Sequence, residues 1–204
     1  MARRIGFFGG TFDPPHIGHL ALAQTAFEQA SLDQVLWVLT PQSPLKTTVF
    51  STLEQRCTMV ELTIKQIPYF DFSRVDIDRE PPYYTVDTAR YIRESFLENV
   101  SLFFIMGGDS LKNLVKWYKA KELIFERLDG LIVARRPGDE LDLDALEKAL
   151  PGIGGRIQFI NMPALDISSF NIRTKIAQHG EINTDVIETV NAYIQEQRLY
   201  SENE

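Results

Sequence analysis

Two histidines stand three residues apart, behind a pair of glycines, in the stretch 9–20, GGTFDPPHIGHL. His16 and His19 would share one face of a helix that begins there, because residues three apart are neighbours on a helix surface. The N-terminus of that helix adds unpaired amides and a partial positive charge, and Gly9 and Gly10 let the backbone come close to a ligand. Such groups stabilise the charge that develops in phosphoryl-type transfer, so the stretch predicts a site for phosphates.

The same two histidines could instead be zinc ligands, or ordinary capping and packing residues. A closed zinc site needs further ligands. His179 and Cys57 are the other soft ligands in the sequence, and neither stands at a motif spacing from the pair. Because the double glycine, the Asp-Pro-Pro of residues 13–15 and Gly18 accompany the histidines, we favour the phosphate-binding interpretation.

A second candidate anion site lies near the other end of the chain, in the stretch 166–173, DISSFNIR. Ser168 or Ser169 would cap a helix that begins there. The first amides of that helix could face a phosphate, and Arg173 could clamp it. Taken alone, the stretch is equally consistent with a capped surface helix.

The elements that must position these residues follow from the hydrophobic pattern. Short apolar runs alternate with longer runs of helical period. The predicted strands cover 4–8, 34–39, 70–75, 101–106, 130–134 and 157–160, and the predicted helices 17–30, 53–67, 85–96, 111–125, 142–150, 169–178 and 184–197. This alternation predicts an α/β fold, a Rossmann-like doubly wound, mostly parallel sheet with helices on both faces. Ligands of such sheets bind at the carboxyl ends of the strands, near the point where the strand order reverses.

Composition narrows the class of protein further. The chain has 204 residues, of which 44% are hydrophobic and 24% charged, so we expect one globular domain over 1–204 with a C-terminal helical part from about 169 to 197. The net charge of −7 argues against a general nucleic-acid binder, which more often carries a basic surplus. We expect a soluble protein without a membrane partner, because no apolar run approaches the roughly 18 residues of a span. The single cysteine fits the reducing cytoplasm. The pattern does not set the number of subunits.

The stretch 10–19 resembles the signature of the H-x-G-H nucleotidyltransferases, written G-x-F-D-P-x-H-x-G-H. The stretch 166–173 resembles their second signature, I-S-S-T-x-I-R, although Phe170 stands where the family has Thr, so that any hydrogen bond from that hydroxyl is absent here. The resemblance implies a nucleotidyltransferase domain in which His16 and His19 bind the phosphates of ATP and stabilise the transition state. The ATP-binding residues that it implies are Gly9, Gly10, Thr11, Phe12, His16, His19, Gly107, Asp109, Ser168, Ser169 and Arg173.

Other stretches resemble the nicotinate mononucleotide adenylyltransferase branch of this family. They are YYTVDT at 83–88 (family Y-T-x-D-T), MGGDSL at 106–111 followed by Trp117 and Tyr118 (family G-x-D-x-L…W), ARRPG at 134–138 (family R-P-G) and PLK at 44–46, where relatives often have P-H-K. The matches occur in the family's order over nearly the whole chain. A match in several ordered places is far more specific than any one of them.

The branch resemblance implies a second substrate, a pyridine mononucleotide, and a place for each part of it. Trp117 and Tyr84 would sandwich the ring, and amides near Thr85 and Tyr118 would hold its carboxylate. Asp109 suits a ribose hydroxyl, just past the carboxyl end of a strand. The implied catalytic residues are His16, His19, Lys46 and Arg173, and the implied substrate-binding residues are Tyr84, Thr85, Trp117, Tyr118 and Arg136. Mg²⁺ would arrive with ATP, because the sequence shows no carboxylate cluster that could cage it.

Several alternatives stay open at this point. A related enzyme of the same family could act on phosphopantetheine, FMN or a phosphoalcohol, although Trp117 and Tyr84 favour a pyridine ring. A non-catalytic nucleotide-binding paralogue is encouraged only by Phe170. A dinucleotide oxidoreductase would need G-x-G-x-x-G after the first strand, which residues 9–13 do not provide. The sequence does not choose between nicotinate and nicotinamide mononucleotide.

Overall fold

Six parallel strands form the centre of the molecule. The computed structural model describes residues 2–42, 48–135, 141–163, 165–179 and 185–201. The strands are β1 (Arg3–Gly10), β2 (Gln34–Leu39), β3 (Phe70–Ser73), β4 (Val100–Gly107), β5 (Gly130–Arg135) and β6 (Ile157–Asn161). Their order in the sheet is β3-β2-β1-β4-β5-β6, and every neighbouring pair is parallel. The predicted Rossmann-like, doubly wound sheet is confirmed, and its strand order reverses between β1 and β4.

Helices follow the strands nearly where the hydrophobic period predicts them. They are α1 (Ile17–Gln29), α2 (Leu53–Ile64), α3 (Thr85–Ser95), α4 (Gly108–Asn113), α5 (Ala120–Glu122), α6 (Leu143–Ala149), α7 (Ser169–His179) and α8 (Glu188–Glu196). No helix in the described part of the chain is both long enough and apolar enough to cross a membrane.

The predicted helix 111–125 is interrupted in the structure. A 3₁₀ turn at Leu114–Lys116 follows α4, the backbone of Trp117 is extended, and Lys119 adopts a positive φ of 51° before α5 begins. Leu114 and Leu123 are both fully buried on either side of the break. The apolar spacing therefore continues across the interruption, which is why periodicity alone does not reveal it.

The two faces of the sheet carry separate cores, because successive strand residues point to opposite sides. Phe7 and Phe104 pack on one face, together with buried residues of α3 and α6. Phe8 and Trp37 pack on the other face, together with buried residues of α1 and α2. Because helices cover both faces, a ligand can reach the sheet where the strands end.

The C-terminal helices pack on α2 through a third apolar cluster. Met59 of α2 contacts a group that includes Ile172 of α7 and Val190 of α8. This packing places the first turn of α7 beside the loop that follows β1, where the Ser169 hydroxyl donates a hydrogen bond to the Pro14 carbonyl at 2.9 Å. The two predicted anion-binding stretches thus meet, although they lie at opposite ends of the chain.

Candidate active site

A cleft of about 410 Å³ opens at the carboxyl edge of the sheet, beside the ends of β1 and β4. It lies at the reversal of strand order, where ligands of doubly wound sheets bind. Its lining residues are Thr11, Asp13, His16, Gly18, His19, Leu22, Thr48, Gly107, Ala134, Met162, Leu165, Ile167, Ser168, Ser169, Phe170 and Arg173. The lining includes seven of the residues predicted for ATP and leaves out four, Gly9, Gly10, Phe12 and Asp109.

The histidine pair forms a stacked double imidazole at the N-terminus of α1. The ring centroids of His16 and His19 lie 3.7 Å apart, with an angle of 28° between the planes. The His16 amide donates to His19 Nδ1 at 3.2 Å. An accepting Nδ1 places the proton of the neutral imidazole on Nε2, so His19 can present an N–H to a phosphate oxygen.

Gly18 leaves room for the ring of His16 and does not serve a turn. A Cβ atom at residue 18 would lie 3.0 Å from His16 Nδ1 and 3.1 Å from Cε1. A side chain at this position would therefore press on the ring of His16. The glycine in the middle of the predicted motif is explained by the room that the imidazole needs.

The carboxylate of Asp13, in the same motif, accepts hydrogen bonds from other parts of the protein. Oδ2 accepts the Phe50 amide at 2.7 Å, and Oδ1 accepts the hydroxyls of Ser51 at 2.5 Å and Tyr200 at 2.7 Å. The Asp13 carbonyl accepts a hydrogen bond from Arg173 Nη1 at 2.7 Å. This 4% exposed aspartate is therefore a junction between the β1–α1 loop and three other segments.

The start of α7 supplies the second half of the anion site. Ser168 caps the helix, since its Oγ accepts the amide three residues further on at 3.1 Å. The Arg173 guanidinium lies over the ring of Phe50, 4.1 Å from its centroid, and lines the cleft. Both the N-terminal amides of this helix and a planar cation thus face the same space as the histidines, an arrangement suited to a polyphosphate.

Phe170 stands on the first turn of α7 and lines the cleft with 68% of its surface exposed. The family signature has Thr at this position. Ser168 caps the helix and Arg173 lines the cleft with Phe170 present, so this chain has an apolar ring where the signature has a hydroxyl.

Arg56 forms the floor beneath the loop, and sequence reasoning missed it. The side chain is 3% exposed, and its guanidinium donates to the carbonyls of Thr11 at 3.0 Å, Thr40 at 3.2 Å and Pro41 at 2.9 Å. Burial lowers the pKa of Arg56, while the charge of Asp13 acts in the opposite direction. Arg56 thus joins the carboxyl ends of β1 and β2. The sequence feature that could have indicated its burial is its place on the apolar stripe of α2, three residues after Leu53 and four before Val60.

A second buried polar junction, also missed, holds the start of α3. Asp76 is 2% exposed and accepts hydrogen bonds from Arg79 at 2.8 Å, Thr88 at 2.7 Å and Thr40 at 3.1 Å. It ties the end of β2 to the helix whose N-cap is Tyr84. The predicted ring-binding tyrosine therefore stands on a fixed part of the fold.

The aromatic residues predicted for the pyridine ring lie close together, in a different pairing. Tyr84 stacks on Tyr118, with ring centroids 4.3 Å apart and 26° between the planes. Trp117 packs edge-on against Phe104 at 5.7 Å, and its amide donates to a carbonyl of the preceding turn. Thr85 opens α3, where helix amides have no partner within the helix. The sandwich of a ring between Trp117 and Tyr84 stays a prediction.

Asp109 is a further predicted residue, and it does not line the cleft. Asp109, on the first turn of α4, has a side chain that is 83% exposed, with Lys112 Nζ 3.9 Å away. Lys46 and Arg136, with the stretches 44–46 and 136–138, lie outside the described residues.

The zinc alternative finds no support among the residues that the structure describes. They contain no group of three or more His, Cys, Asp or Glu side chains that could hold a metal ion. Cys57 packs half-buried against the apolar cluster of α1 and α2. The assignment of the stacked histidines to an anion stays a prediction.

Comparison with known proteins gives matches over most of the chain. The cytidylyltransferase-like family model matches residues 7–175. A protein of Dehalococcoides mccartyi, named "probable nicotinate-nucleotide adenylyltransferase", is 37% identical over 98% of both chains. One of the same name from a Roseiflexus species is 37% identical over 96% of this chain and 97% of its own.

Solved structures match the fold at lower identity. The nicotinic acid mononucleotide adenylyltransferase of Plasmodium falciparum, complexed with APC, superposes with a TM-score of 0.74 at 19% identity, over 98% of both chains. The same enzyme complexed with NaAD gives a TM-score of 0.73. The parallel sheet and its helices are thus arranged as in these two structures.

Proposed function

Because the chain belongs to the cytidylyltransferase-like family and, within it, to the nicotinate-nucleotide adenylyltransferases, we propose that its cleft is where ATP and nicotinate mononucleotide react. The enzyme transfers the adenylyl group of ATP to the phosphate of the mononucleotide, giving nicotinate adenine dinucleotide and pyrophosphate for NAD biosynthesis. The observation that carries the assignment of the site is the convergence of His16, His19, Arg173 and two helix N-termini on one cleft. We place the reaction in the cytoplasm, the reducing compartment that a single cysteine suits.

The reaction needs positioning and charge stabilisation rather than a covalent intermediate. A phosphate oxygen of nicotinate mononucleotide attacks the α-phosphorus of ATP, and the bond to the β-phosphate oxygen breaks as pyrophosphate leaves. The attacking phosphate is already ionised, so no general base is required. His19 Nε2–H, the Arg173 guanidinium and the helix amides stabilise the added charge at the α-phosphate and the leaving group. We assign Lys46 the same role.

Mg²⁺ enters this reaction as part of MgATP. The described carboxylate nearest to the histidines in the motif, Asp13, already accepts three hydrogen bonds and is not arranged to ligate an ion. A magnesium ion usually keeps several waters and binds substrate phosphates directly. When bound, it neutralises charge on the phosphates, while the protein holds their other oxygens.

The mononucleotide binds beside α3 in this proposal. Tyr84, Trp117 and Tyr118 offer ring faces, and the amides at Thr85 offer donors to the nicotinate carboxylate at a helix N-terminus, where a negative charge is favoured. We assign Arg136 to the same substrate. This donor set is the reason to expect nicotinate, which carries a carboxylate, in preference to nicotinamide.

An assay with both pyridine substrates tests the function. The protein is incubated with ATP and Mg²⁺, with nicotinate or nicotinamide mononucleotide in separate tubes, and dinucleotide and pyrophosphate are quantified by chromatography and mass spectrometry. We expect equal amounts of both products and preferential turnover of the nicotinate form. Preference for nicotinamide would contradict the carboxylate assignment, and no product from either would favour another phosphate acceptor or a binding-only role.

Gly107 offers a test of the ATP site that leaves the fold intact. Its φ is −83°, and an added Cβ would meet no atom within 4 Å, so neither backbone nor packing demands glycine. Its open side is the cleft. We expect Gly107→Ala to raise the KM for ATP about tenfold, because the added methyl group would occupy space of the nucleotide and a binding loss of about 1.4 kcal/mol has that effect.

The matched control for this variant is Gly155→Ala. An added Cβ there also meets no atom within 4 Å, and the residue does not line the cleft. Both variants should melt within a few degrees of the wild type, because neither added methyl group would meet another atom of the protein within 4 Å. An unchanged KM for ATP in Gly107→Ala would remove Gly107 from the nucleotide site.

A further inference from the structure

Tyr200 reaches from the end of the chain into the loop that carries the histidines. It follows α8 and adopts a positive φ of 65°. Its hydroxyl lies 2.7 Å from Asp13 Oδ1 and 3.2 Å from Ser51 Oγ. Burial and the neighbouring charge of Asp13 raise the pKa of Tyr200 well above its usual range, so the hydroxyl keeps its proton and donates it to the carboxylate.

Asp13 connects this hydroxyl to the groups that bind phosphate. Its backbone carbonyl accepts the Arg173 hydrogen bond at 2.7 Å, and the histidine that caps α1 follows three residues later. A change in the orientation of Asp13 would therefore move both Arg173 and the start of α1. The distance in sequence between Tyr200 and Asp13, 187 residues, means that packing of the C-terminal helices decides whether the contact forms.

The hydrogen bonds to the Asp13 carboxylate also limit its electrostatic repulsion of bound phosphates. Asp13 lines a site that receives the negative charge of a triphosphate. A carboxylate that turned toward the cleft would repel the phosphates and compete with them for Arg173. Donors from Tyr200, Ser51 and the Phe50 amide engage both oxygens and so restrain the carboxylate from turning toward bound phosphates.

We propose that Tyr200 is a positioning residue of the adenylyl-transfer site, which acts through Asp13 to hold Arg173 and the histidine-bearing loop in the geometry of the transition state. The inference rests on the proposed function. It predicts that loss of the hydroxyl lowers kcat. The affinity for the mononucleotide, which binds beside α3, should stay the same.

The test is Tyr200→Phe, which keeps the ring and removes the hydroxyl. We expect kcat to fall about tenfold, because the activation barrier rises when Arg173 and the loop are less well held. The KM for nicotinate mononucleotide should not change. The matched control is Tyr193→Phe, a partly buried tyrosine of α8 in the same apolar cluster, which should keep the wild-type kcat. Melting temperatures of all variants are measured in parallel.

A double-mutant cycle separates positioning from simple stabilisation. If Tyr200 acts through Asp13 on Arg173, the loss in kcat from Tyr200→Phe should shrink in an Arg173→Lys background, because coupled sites are not additive. Equal losses in both backgrounds, or a wild-type kcat in Tyr200→Phe, would overturn the proposal. Wild-type protein assayed alongside keeps the two hypotheses apart: its failure to turn over would defeat the function itself, whereas active wild type with an unaffected variant defeats only the role of Tyr200.

Discussion

Replacement of His19 by alanine is expected to lower kcat about 100- to 1000-fold, the usual cost of removing one preorganised donor to a developing oxyanion. His19 lines the cleft, and because its Nδ1 accepts the His16 amide at 3.2 Å, the proton of its neutral ring lies on Nε2; the ring packs between His16 and Phe12. The donor is therefore already in place before substrate binds. Alanine removes it and leaves the amides of α1 and Arg173.

The fold should survive this change, because His19 is only partly buried on the first turn of α1. Steady-state kinetics with ATP and nicotinate mononucleotide measures the loss, and circular dichroism with a melting curve checks the fold. Gln24→Ala, an exposed position on the same helix, is the matched control and should keep full activity. Wild-type kcat in His19→Ala would exclude the mechanism, while an unfolded variant would show that the stacked pair is needed for stability.

Local signals in the sequence were enough to predict the fold, and to pick out the histidine pair and the capped helix start that line the cleft. The predicted strands and helices agree with the observed ones because burial follows the periods of the sequence. The two faces of the sheet bury alternate strand residues, such as Phe7 and Phe8. His16 is the N-cap of α1, with an extended backbone, and His19 lies on the first turn of that helix, so the spacing of three brings the two rings together. That Arg173 faces them depends on how the C-terminal helices pack on α2, which no local pattern specifies; the family signature supplied this expectation.

Contacts between distant segments were beyond the reach of the sequence pattern. The hydrogen bond from Tyr200 to Asp13 depends on a turn after α8 and leaves no periodic trace. The stacking of Tyr84 on Tyr118 depends on the break after Leu114, which the continuous apolar spacing conceals. Side-chain geometry of this kind is set by tertiary packing, whereas periodicity reports only which face of an element is buried.

Arg56→Met is expected to destabilise the protein by about 3 kcal/mol, and to lower the melting temperature by about 6 to 12 °C for a chain of this size. Methionine fills much of the volume but leaves the carbonyls of Thr11, Thr40 and Pro41 without their buried donor. The Thr11 carbonyl lies next to Phe12, whose φ of 47° is in the left-handed region that costs a non-glycine residue about 1 kcal/mol or more. The turn that leaves β1 is thus held by Arg56 against local strain.

Arg74→Met provides the matched comparison, since Arg74 belongs to an exposed ion pair with Asp78 at 3.1 Å. Exposed pairs contribute about 0 to 1 kcal/mol, so this variant should melt close to the wild type. Urea unfolding measures both free energies. Because the Arg56 guanidinium joins the ends of β1 and β2 under the cleft, the folded fraction of Arg56→Met should also lose kcat. A melting temperature equal to that of Arg74→Met would show that water replaces the lost donors and that the loop does not depend on Arg56.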